Sequence, residues 1–340
     1  MSYAKISVLH LACVSLAPLL GVFLIGGLSA CGGNDDNEGG SGGTGASGGG
    51  AGVSGSGATN GGSGGTNSVG QPSGEPCADN ERAGTLALRL TDGKTILEGA
   101  VSDGASPVGE TDVASEGLCR LVGPAVCATT CASGTVCVGN DVCMANPTEE
   151  SAGKITVTGM LTPLELMVNG ITGTYSKTIV DPYPAFEAGA AIQLSASGDT
   201  IPAFTLHGWG VPPLVVTSPS PINVSSGSGV PLTWETAGVN SEQSEVFINF
   251  EVNVHGAATG HIECTVPDTG SYELPETLVT DLIDRGLSGF PRMEMIRRSI
   301  DSTELATGNC VEFEVGTQVT IELAVEGLVS CSDDLPCPEG

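Results

Sequence analysis

The sequence predicts an all-β protein built of two tandem β-sandwich domains, and three observations support this fold class. From Val246 to Val254 every second residue is apolar, and Asn249, Glu251 and Asn253 lie between them, which is typical of a half-buried strand. Two further alternating runs, Thr85–Leu90 and Ile96–Val101, flank the turn pair Asp92-Gly93 and predict a hairpin. Short apolar runs separated by turn residues then recur along the remaining chain, as they do in sandwiches.

The first predicted domain covers residues 82–213 and contains a disulfide-rich insertion at residues 119–143. After its opening hairpin, the same patterns predict strands at Lys154–Thr158, Leu164–Val168, Ala191–Ala196 and Phe204–His207.

The second predicted domain covers residues 214–330, and residues 331–340 form a short tail. Its predicted strands are Pro231–Trp234, Val246–Val254, His261–Val266, Met293–Ile300, Val311–Val315 and Val319–Val325. One short helix is expected from Pro275 to Arg285, because Pro275 suits a helix start and Gly286 a helix stop. The strand containing Leu232-Thr233-Trp234 resembles the early tryptophan strand of immunoglobulin-like and fibronectin-like sandwiches, and this resemblance implies such a fold for the domain.

The last two strands are expected to form a hairpin with a three-residue turn at residues 316–318. That register places Glu312 opposite Glu322, with Glu314 on the same face, and like charges so paired repel. Two interpretations follow: a Ca²⁺ site formed by these carboxylates, or a solvated acidic face neutralised by Arg297 or Arg298 from a neighbouring strand. We favour the second, because the chain has no EF-hand or similar calcium loop.

The N-terminus reads as a secretory signal that ends at a lipidation site. Residues 1–30 carry one charge, Lys5, before a long apolar run that ends in Leu28-Ser29-Ala30-Cys31. This box resembles that of bacterial lipoproteins, which implies cleavage before Cys31, acylation of Cys31 with fatty acids such as palmitate, and anchoring in the membrane. Gly32 after the cysteine implies the outer membrane of a Gram-negative cell, with periplasmic or surface display. An uncleaved transmembrane helix is the alternative, but Pro18 and Gly26-Gly27 suit a cleaved signal better.

Residues 31–81 are predicted to be a disordered Gly/Ser-rich tether that carries the lipidated Cys31. Almost every residue from Gly39 to Gly74 is Gly, Ser, Ala, Thr or Asn, so the segment cannot bury enough apolar surface to fold. A flexible coil of about 40 residues spans about 35 Å on average.

Twelve cysteines are present, and ten remain once Cys13 leaves with the signal and Cys31 is lipidated. An even number fits disulfides in an oxidising compartment. The ten are Cys77, Cys119, Cys127, Cys131, Cys137, Cys143, Cys264, Cys310, Cys331 and Cys337.

The first six of these cysteines allow fifteen pairings, and a zinc site is the rival to a stapled loop. We predict a small hairpin over residues 131–143 that turns at residues 139–141. We also expect the pairs Cys264–Cys310 and Cys331–Cys337. The first pair conflicts with face parity, since Cys264 shares the apolar face of its strand and Cys310 the face of Glu312.

The charge of the chain excludes nucleic acid as a partner. The formal net charge is −28, and no basic residue occurs between Lys177 and Arg285. Binding a polyanion requires Lys and Arg, whereas an acidic balance favours solubility and divalent cations.

The predicted function is that of a lipid-anchored envelope protein that binds an unknown surface protein or has a structural role. A carbohydrate-binding module is the first alternative, with Trp209 and Tyr183 as stacking platforms in loops; Trp209 packing between the domains is the competing interpretation. A secreted hydrolase is the second alternative, but no catalytic motif supports it and we expect no enzyme. His255 and His261, which flank a predicted turn, could form a metal or acid–base pair, although exposed polar residues are commoner there. No cofactor other than Ca²⁺ is expected.

Overall fold

The computed structural model describes residues 70–254, 260–287 and 290–328. The signal, Cys31, residues 31–69 of the tether, His255 and the predicted pair Cys331–Cys337 lie outside these residues. Within the described ranges, no helix is long and apolar enough to cross a membrane.

The described chain contains eighteen strands, one α-helix and a 3₁₀ helix at Gly238–Gln243, which confirms the all-β class. The strands are β1 (Arg82–Thr91), β2 (Lys94–Val101), β3 (Glu110–Glu116), β4 (Cys119–Pro124), β5 (Thr135–Cys137), β6 (Cys143–Ala145), β7 (Ile155–Thr158), β8 (Leu164–Leu166), β9 (Tyr175–Ile179), β10 (Ala191–Ala196), β11 (Phe204–Trp209), β12 (Ile222–Val224), β13 (Val230–Thr233), β14 (Glu245–Val254), β15 (His261–Pro267), β16 (Ser271–Leu274), β17 (Phe290–Glu304) and β18 (Cys310–Val325). Helix α1 spans Glu276–Asp284.

A ten-stranded sheet organises the fold. Its order is β3-β4-β15-β14-β17-β18-β1-β2-β9, and β12 is a tenth strand paired to the second half of β18. The pairings of β18 with β1 and β12 are parallel, and the other pairings in this sheet are antiparallel. Strands from both predicted domains therefore share one sheet, and the sheet crosses the boundary predicted between residues 213 and 214.

One face of this sheet covers two hydrophobic cores. The first core lies against a four-stranded sheet of order β11-β10-β7-β8 and includes Leu88, Leu194 and Phe313. The second core lies against α1 and the β13–β16 pair and includes Ile248, Phe250 and Leu278. The opposite face of the ten-stranded sheet is polar, and it carries the site described below.

Local sequence patterns predict the correct elements where side-chain period and nearby turn residues determine them. The β1–β2 hairpin turns at Asp92 and Gly93, which both have positive φ, as a two-residue type I′ turn requires. On β14 the alternate apolar residues 246, 248, 250 and 252 are fully buried. Helix α1 buries Leu278 and Leu282, and Pro275 precedes it.

The predicted hairpin at residues 311–325 is wrong, because β18 continues straight through residues 316–318. Gly316 lies opposite Arg298 in the antiparallel pairing with β17. A Cβ at Gly316 would lie 2.9 Å from the Arg297 carbonyl oxygen, so glycine permits close approach of two strands at this position.

Four disulfides occur in the described chain: Cys77–Cys310, Cys119–Cys264, Cys127–Cys137 and Cys131–Cys143. The predicted Cys264–Cys310 pair is therefore wrong. Cys264 lies directly opposite Cys119 across the β15–β4 pairing, whereas Cys310 begins β18 on the other face. The conflict of face parity seen in the sequence is therefore real, because Cys264 and Cys310 lie on opposite faces of the ten-stranded sheet.

The last two disulfides hold the predicted small hairpin, which is confirmed as the β5–β6 pair. Asn140 and Asp141 both have positive φ at its turn, and the Val142 amide donates to the Gly139 carbonyl at 2.9 Å. The insertion itself begins after β4, because Cys119 belongs to the ten-stranded sheet. Cys77 pairs with Cys310 and Cys119 pairs with Cys264, so the six N-terminal cysteines do not pair only among themselves.

The tether prediction extends too far toward the C-terminus. Residues 70–81 lie against the sheet, where the Ser73 amide donates to Asp301 Oδ1 at 2.7 Å and the Gly74 amide donates to the Ile300 carbonyl at 3.1 Å. Cys77 then links this segment covalently to the first residue of β18.

A fully buried ion pair joins the second core to its surroundings. Arg297 Nε lies 2.8 Å from Asp268 Oδ2, and both side chains are almost completely inaccessible. Arg297 also donates to the carbonyls of Pro212, Pro213 and Glu235. Asp268 accepts from Trp234 Nε1 at 2.7 Å, and the Trp234 side chain is buried.

The long-range disulfide is expected to stabilise more than a short-range one. Cys77 and Cys310 are 233 residues apart in sequence, whereas Cys127 and Cys137 are 10 apart. In the chain-entropy description, replacing both members of a pair by Ala lowers the free energy of unfolding by about 5 kcal/mol for the first pair and about 3 kcal/mol for the second. Guanidinium unfolding of the two double variants measures the difference, and an equal loss would contradict it.

Removing one charge of the buried pair is expected to be strongly destabilising. Asp268→Asn leaves the Arg297 guanidinium buried without its counter-charge, and urea unfolding should show a loss of about 3–5 kcal/mol. Glu294→Gln is the matched control, because it breaks the partly exposed pair of Glu294 with Arg292 on the same strand. That change should cost less than about 1 kcal/mol, and comparable losses in the two variants would refute the expectation.

Candidate functional site

The polar face of the ten-stranded sheet holds a cleft of about 770 Å³. The N-terminal segment at residues 76–79 and the β3–β4 hairpin border it, and strands β1, β18, β17, β14 and β15 form its floor. We call it the charged cleft, because nine charged side chains line it: Asp79, Arg82, Arg89, Asp112, Arg120, Glu263, Arg298, Glu312 and Glu314.

Four of the seven arginines in the chain line this cleft. Strand alternation places them there: on β1, Leu86, Leu88 and Leu90 face the first core, so Arg89 faces the cleft. On β17 the same alternation sends Arg298 to the cleft and Arg297 to the core face.

Two buried carboxylates form the centre of the cleft floor. Glu312 accepts from Thr85 Oγ1 at 2.8 Å and from the Cys77 amide at 3.1 Å, and Arg82 Nε lies 3.1 Å from it. Glu314 lies between Arg89 Nη2 at 2.6 Å and Arg298 Nη1 at 2.7 Å. Burial disfavours the charge on Glu314, but the two guanidinium charges outweigh that effect and lower the pKa of Glu314 below its usual range.

Arg298 is held from three sides. Besides Glu314, its Nε donates to Glu245 at 2.8 Å, and its guanidinium carbon lies 4.8 Å from the centre of the Phe247 ring. Burial works against the charge on Arg298, but Glu314 and Glu245 outweigh it and raise the pKa of Arg298.

A second group of charges lies at the β4–β15 side of the cleft. Arg120 Nη2 donates to Glu263 at 2.7 Å, and its Nη1 lies 3.2 Å from Asp79 and 3.4 Å from Asp112. Asp79 also pairs with Arg82 at 2.9 Å. Ion pairs therefore run without a break from Glu263 across the cleft to Glu312.

His261 extends this chain of charges on β15. Its Nε2 lies 3.0 Å from Glu263 Oε1, and its Nδ1 lies 3.8 Å from Glu110. Burial disfavours the charged imidazole, but Glu263 and Glu110 outweigh it and raise the pKa of His261 above 6.5. Burial likewise opposes the Glu263 charge, yet hydrogen bonds from His261 and Arg120 lower the pKa of Glu263 to about 2.

The predicted cluster of Glu312, Glu314 and Glu322 does not form. Because β18 is one continuous strand, Glu322 lies ten residues along it from Glu312, or about 33 Å, and faces Arg292 in the pairing with β17. Glu312 and Glu314 are buried and ion-paired. Of the alternative drawn from the sequence, neutralisation of Glu314 by Arg298 is present, but the solvated face is wrong, because Glu312 and Glu314 are buried.

The two predicted aromatic platforms lie in different cavities and neither ring lines the charged cleft, although Arg298 and Ile300 line both the cleft and the Trp209 cavity. Trp209 ends strand β11 and is half-buried, and it lines a cavity of about 320 Å³ with residues 71–74. Tyr183 is 43% exposed in a groove of about 400 Å³ that is lined mainly by prolines and apolar side chains. Trp209 is therefore a strand residue, contrary to the loop position expected, and the two rings do not share a site.

Three cysteine sulfurs in the insertion, those of Cys127, Cys131 and Cys143, lie within 4.8 Å of one another. This proximity follows from the adjacent disulfides Cys127–Cys137 and Cys131–Cys143. The structure thus agrees with a stapled hairpin here.

Comparison with known proteins adds little. No family model matches the sequence, and no curated protein matches it. Among solved structures, the crystal structure of chicken CNTN1 FN1-FN3 domains matches over 73% of this chain and 99% of that chain, at 12% identity and a TM-score of 0.18. At that TM-score we base no argument on the match.

The His261–Glu263 contact makes a titration prediction. The pKa of His261 should exceed 6.5 and fall in Glu263→Gln, since that variant loses the charge that stabilises the imidazolium. Imidazole proton shifts followed by NMR measure both values. Glu322→Gln, a distant carboxylate on the same sheet, should leave the pKa of His261 unchanged.

The pKa shifts of His261 and Glu263 determine how their contact contributes to the free energy of unfolding at each pH. The Glu263 contribution is complete above pH 4.5 and is lost as the pH falls through about 2, whereas the His261 contribution is present below pH 6.5 and is lost as the pH rises through the raised pKa. A His261 pKa at or below 6.5 would contradict this account of the contact.

Proposed function

We propose that this protein is a lipid-anchored binding module of the cell envelope, and that the charged cleft is its binding surface. The anchor rests on the N-terminal sequence, in which an apolar signal ends at Leu28-Ser29-Ala30-Cys31 and a Gly/Ser-rich segment follows. Outer-membrane attachment with a folded body held clear of the lipid follows from that sequence as part of the proposal.

The observation that carries the binding role is the concentration of arginines in one cleft. The chain has few basic residues and a formal charge of −28, yet four arginines converge on a single concave surface of about 770 Å³. That volume is in the range of ligand sites, which is about 300–1,000 Å³. Strands, whose backbones are fixed by neighbours on both sides, hold most of these side chains.

The pairing of these charges supports binding over catalysis. Each carboxylate on the cleft floor is held by one or two guanidinium groups, and such pairing keeps Glu263 and Glu314 ionised. A general acid at neutral pH needs a raised carboxyl pKa, which is the opposite shift.

The lipid anchor can be tested on the full chain expressed in a Gram-negative host. Labelled palmitate should be incorporated by the wild type, and Cys31→Ala should abolish the label and release the protein from the membrane fraction. Cys13→Ala is the matched control, because Cys13 lies inside the signal and its variant should keep the label. Label retained in Cys31→Ala would disprove the anchor.

The binding role can be tested by photo-crosslinking on intact cells. A benzoylphenylalanine at Ser115, an exposed residue that lines the cleft, should give adducts with envelope components. The same group at Thr205, an exposed residue of the four-stranded sheet, should not.

Two arginine variants make this test specific to the cleft. Arg120→Gln should reduce the Ser115 adducts, whereas Arg292→Gln should not, since Arg292 has similar exposure and two carboxylate partners on the same sheet but lies outside the cleft. Equal adducts from Ser115 and Thr205 would rule out the cleft as the binding surface.

A further inference from the structure

The charges lining the cleft nearly cancel. Four arginines face five carboxylates there, and each arginine has a carboxylate within 3.2 Å. Because opposite charges this close screen one another, the cleft exerts little net attraction on a cation or an anion, although the chain as a whole is strongly acidic.

Donors and acceptors nevertheless alternate at short spacing across the cleft. Neighbouring strands are about 4.8 Å apart, and residues on one face of a strand repeat every two positions. Glu314 on β18 thus lies between Arg89 on β1 and Arg298 on β17, and Glu312 lies beside Arg82. Arg120 similarly lies between Glu263 and Asp79.

The guanidinium groups retain unused hydrogen-bonding capacity. Arg89 Nε is buried and has no hydrogen-bond acceptor among the described residues, and Arg82 Nε, although 3.1 Å from Glu312, is not aligned to form a hydrogen bond with it. The side chains of Arg82, Arg89 and Arg120 are 25–39% exposed. A ligand in the cleft can therefore reach the exposed parts of these guanidinium groups, although not the two buried Nε atoms, without displacing the buried carboxylates.

A hydroxyl group is a partner that suits such an arrangement, because it donates one hydrogen bond and accepts others, whereas an ionised carboxylate only accepts and an ammonium only donates. Vicinal hydroxyls can each bridge a guanidinium and a carboxylate. Leu118, which lines the cleft and is 51% exposed, adds apolar surface beside these groups for the C–H face of a sugar ring.

We infer that the charged cleft binds an uncharged polyhydroxylated ligand, that is, a neutral oligosaccharide. This inference rests on the binding role proposed for the cleft. It places glycan recognition among paired arginines and carboxylates, away from Trp209 and Tyr183.

The test uses the full chain, purified in detergent, on an array that contains neutral oligosaccharides and their uronic-acid counterparts. Neutral members should be retained. For a retained member, the dissociation constant measured by calorimetry should change by less than about twofold between about 50 and about 500 mM NaCl, because no net charge is neutralised on binding.

Matched variants locate the site. Arg120→Gln should weaken binding about tenfold or more, which corresponds to loss of a charge-assisted hydrogen bond. Arg292→Gln and Trp209→Ala should stay within about twofold of the wild type. Circular dichroism of each variant establishes that it is folded.

Three outcomes would overturn the inference. They are retention of acidic members only, with affinity that falls steeply with salt; loss of binding in Trp209→Ala but not in Arg120→Gln; and no retained neutral glycan. If Ser115 still gives cleft-specific adducts on cells in any of these cases, the proposed binding role stands and only the ligand class is wrong.

Discussion

The buried pair of Arg297 and Asp268 is the contact on which the core side of the sheet depends. Arg297 extends from the middle of β17 and donates to Asp268 and to three backbone carbonyls at residues 212, 213 and 235. Asp268 in turn accepts from the Trp234 indole, the Ala237 amide and the Ser244 hydroxyl. Bringing these segments together satisfies both charges, and a packing that buried either charge without these partners would be strongly disfavoured.

The pair belongs to a row of polar side chains on the core face of β17. Ser299 accepts from the Trp209 amide at 3.1 Å, and Asp301 accepts from the His207 amide at 2.7 Å. These amides belong to β11, an edge strand of the four-stranded sheet. Side chains of one sheet thus satisfy edge donors of the other, which blocks that edge from pairing with another chain and fixes how the two layers pack.

What the sequence could predict follows from the range of each interaction. The β1–β2 hairpin, helix α1 and the buried face of β14 depend on side-chain period and turn residues, so local patterns were sufficient. The parallel pairing of β1 with β18 joins residues more than 220 apart, and no period in either strand reports it. The same long separation in sequence made the charged cleft unpredictable, because Arg89 and Glu314 become neighbours only through the pairing of β1 with β18. Gly316 predicts a turn when only the sequence is considered, whereas in the structure it allows β18 to approach β17 closely.

The N-terminal segment determines how the folded body would carry mechanical load. It joins the body through the Ser73–Asp301 hydrogen bond and the covalent Cys77–Cys310 link, so a pull applied at residue 70 reaches β17 and β18 directly. Both strands lie in the interior of the ten-stranded sheet, and a force that enters there is shared by hydrogen bonds on either side. The chain also continues from Cys77 into β1 at Arg82, beside Cys310. A pull at residue 70 therefore enters the sheet at the adjacent interior strands β17, β18 and β1, which form part of the cleft floor, and not at its outer strands β3 and β9.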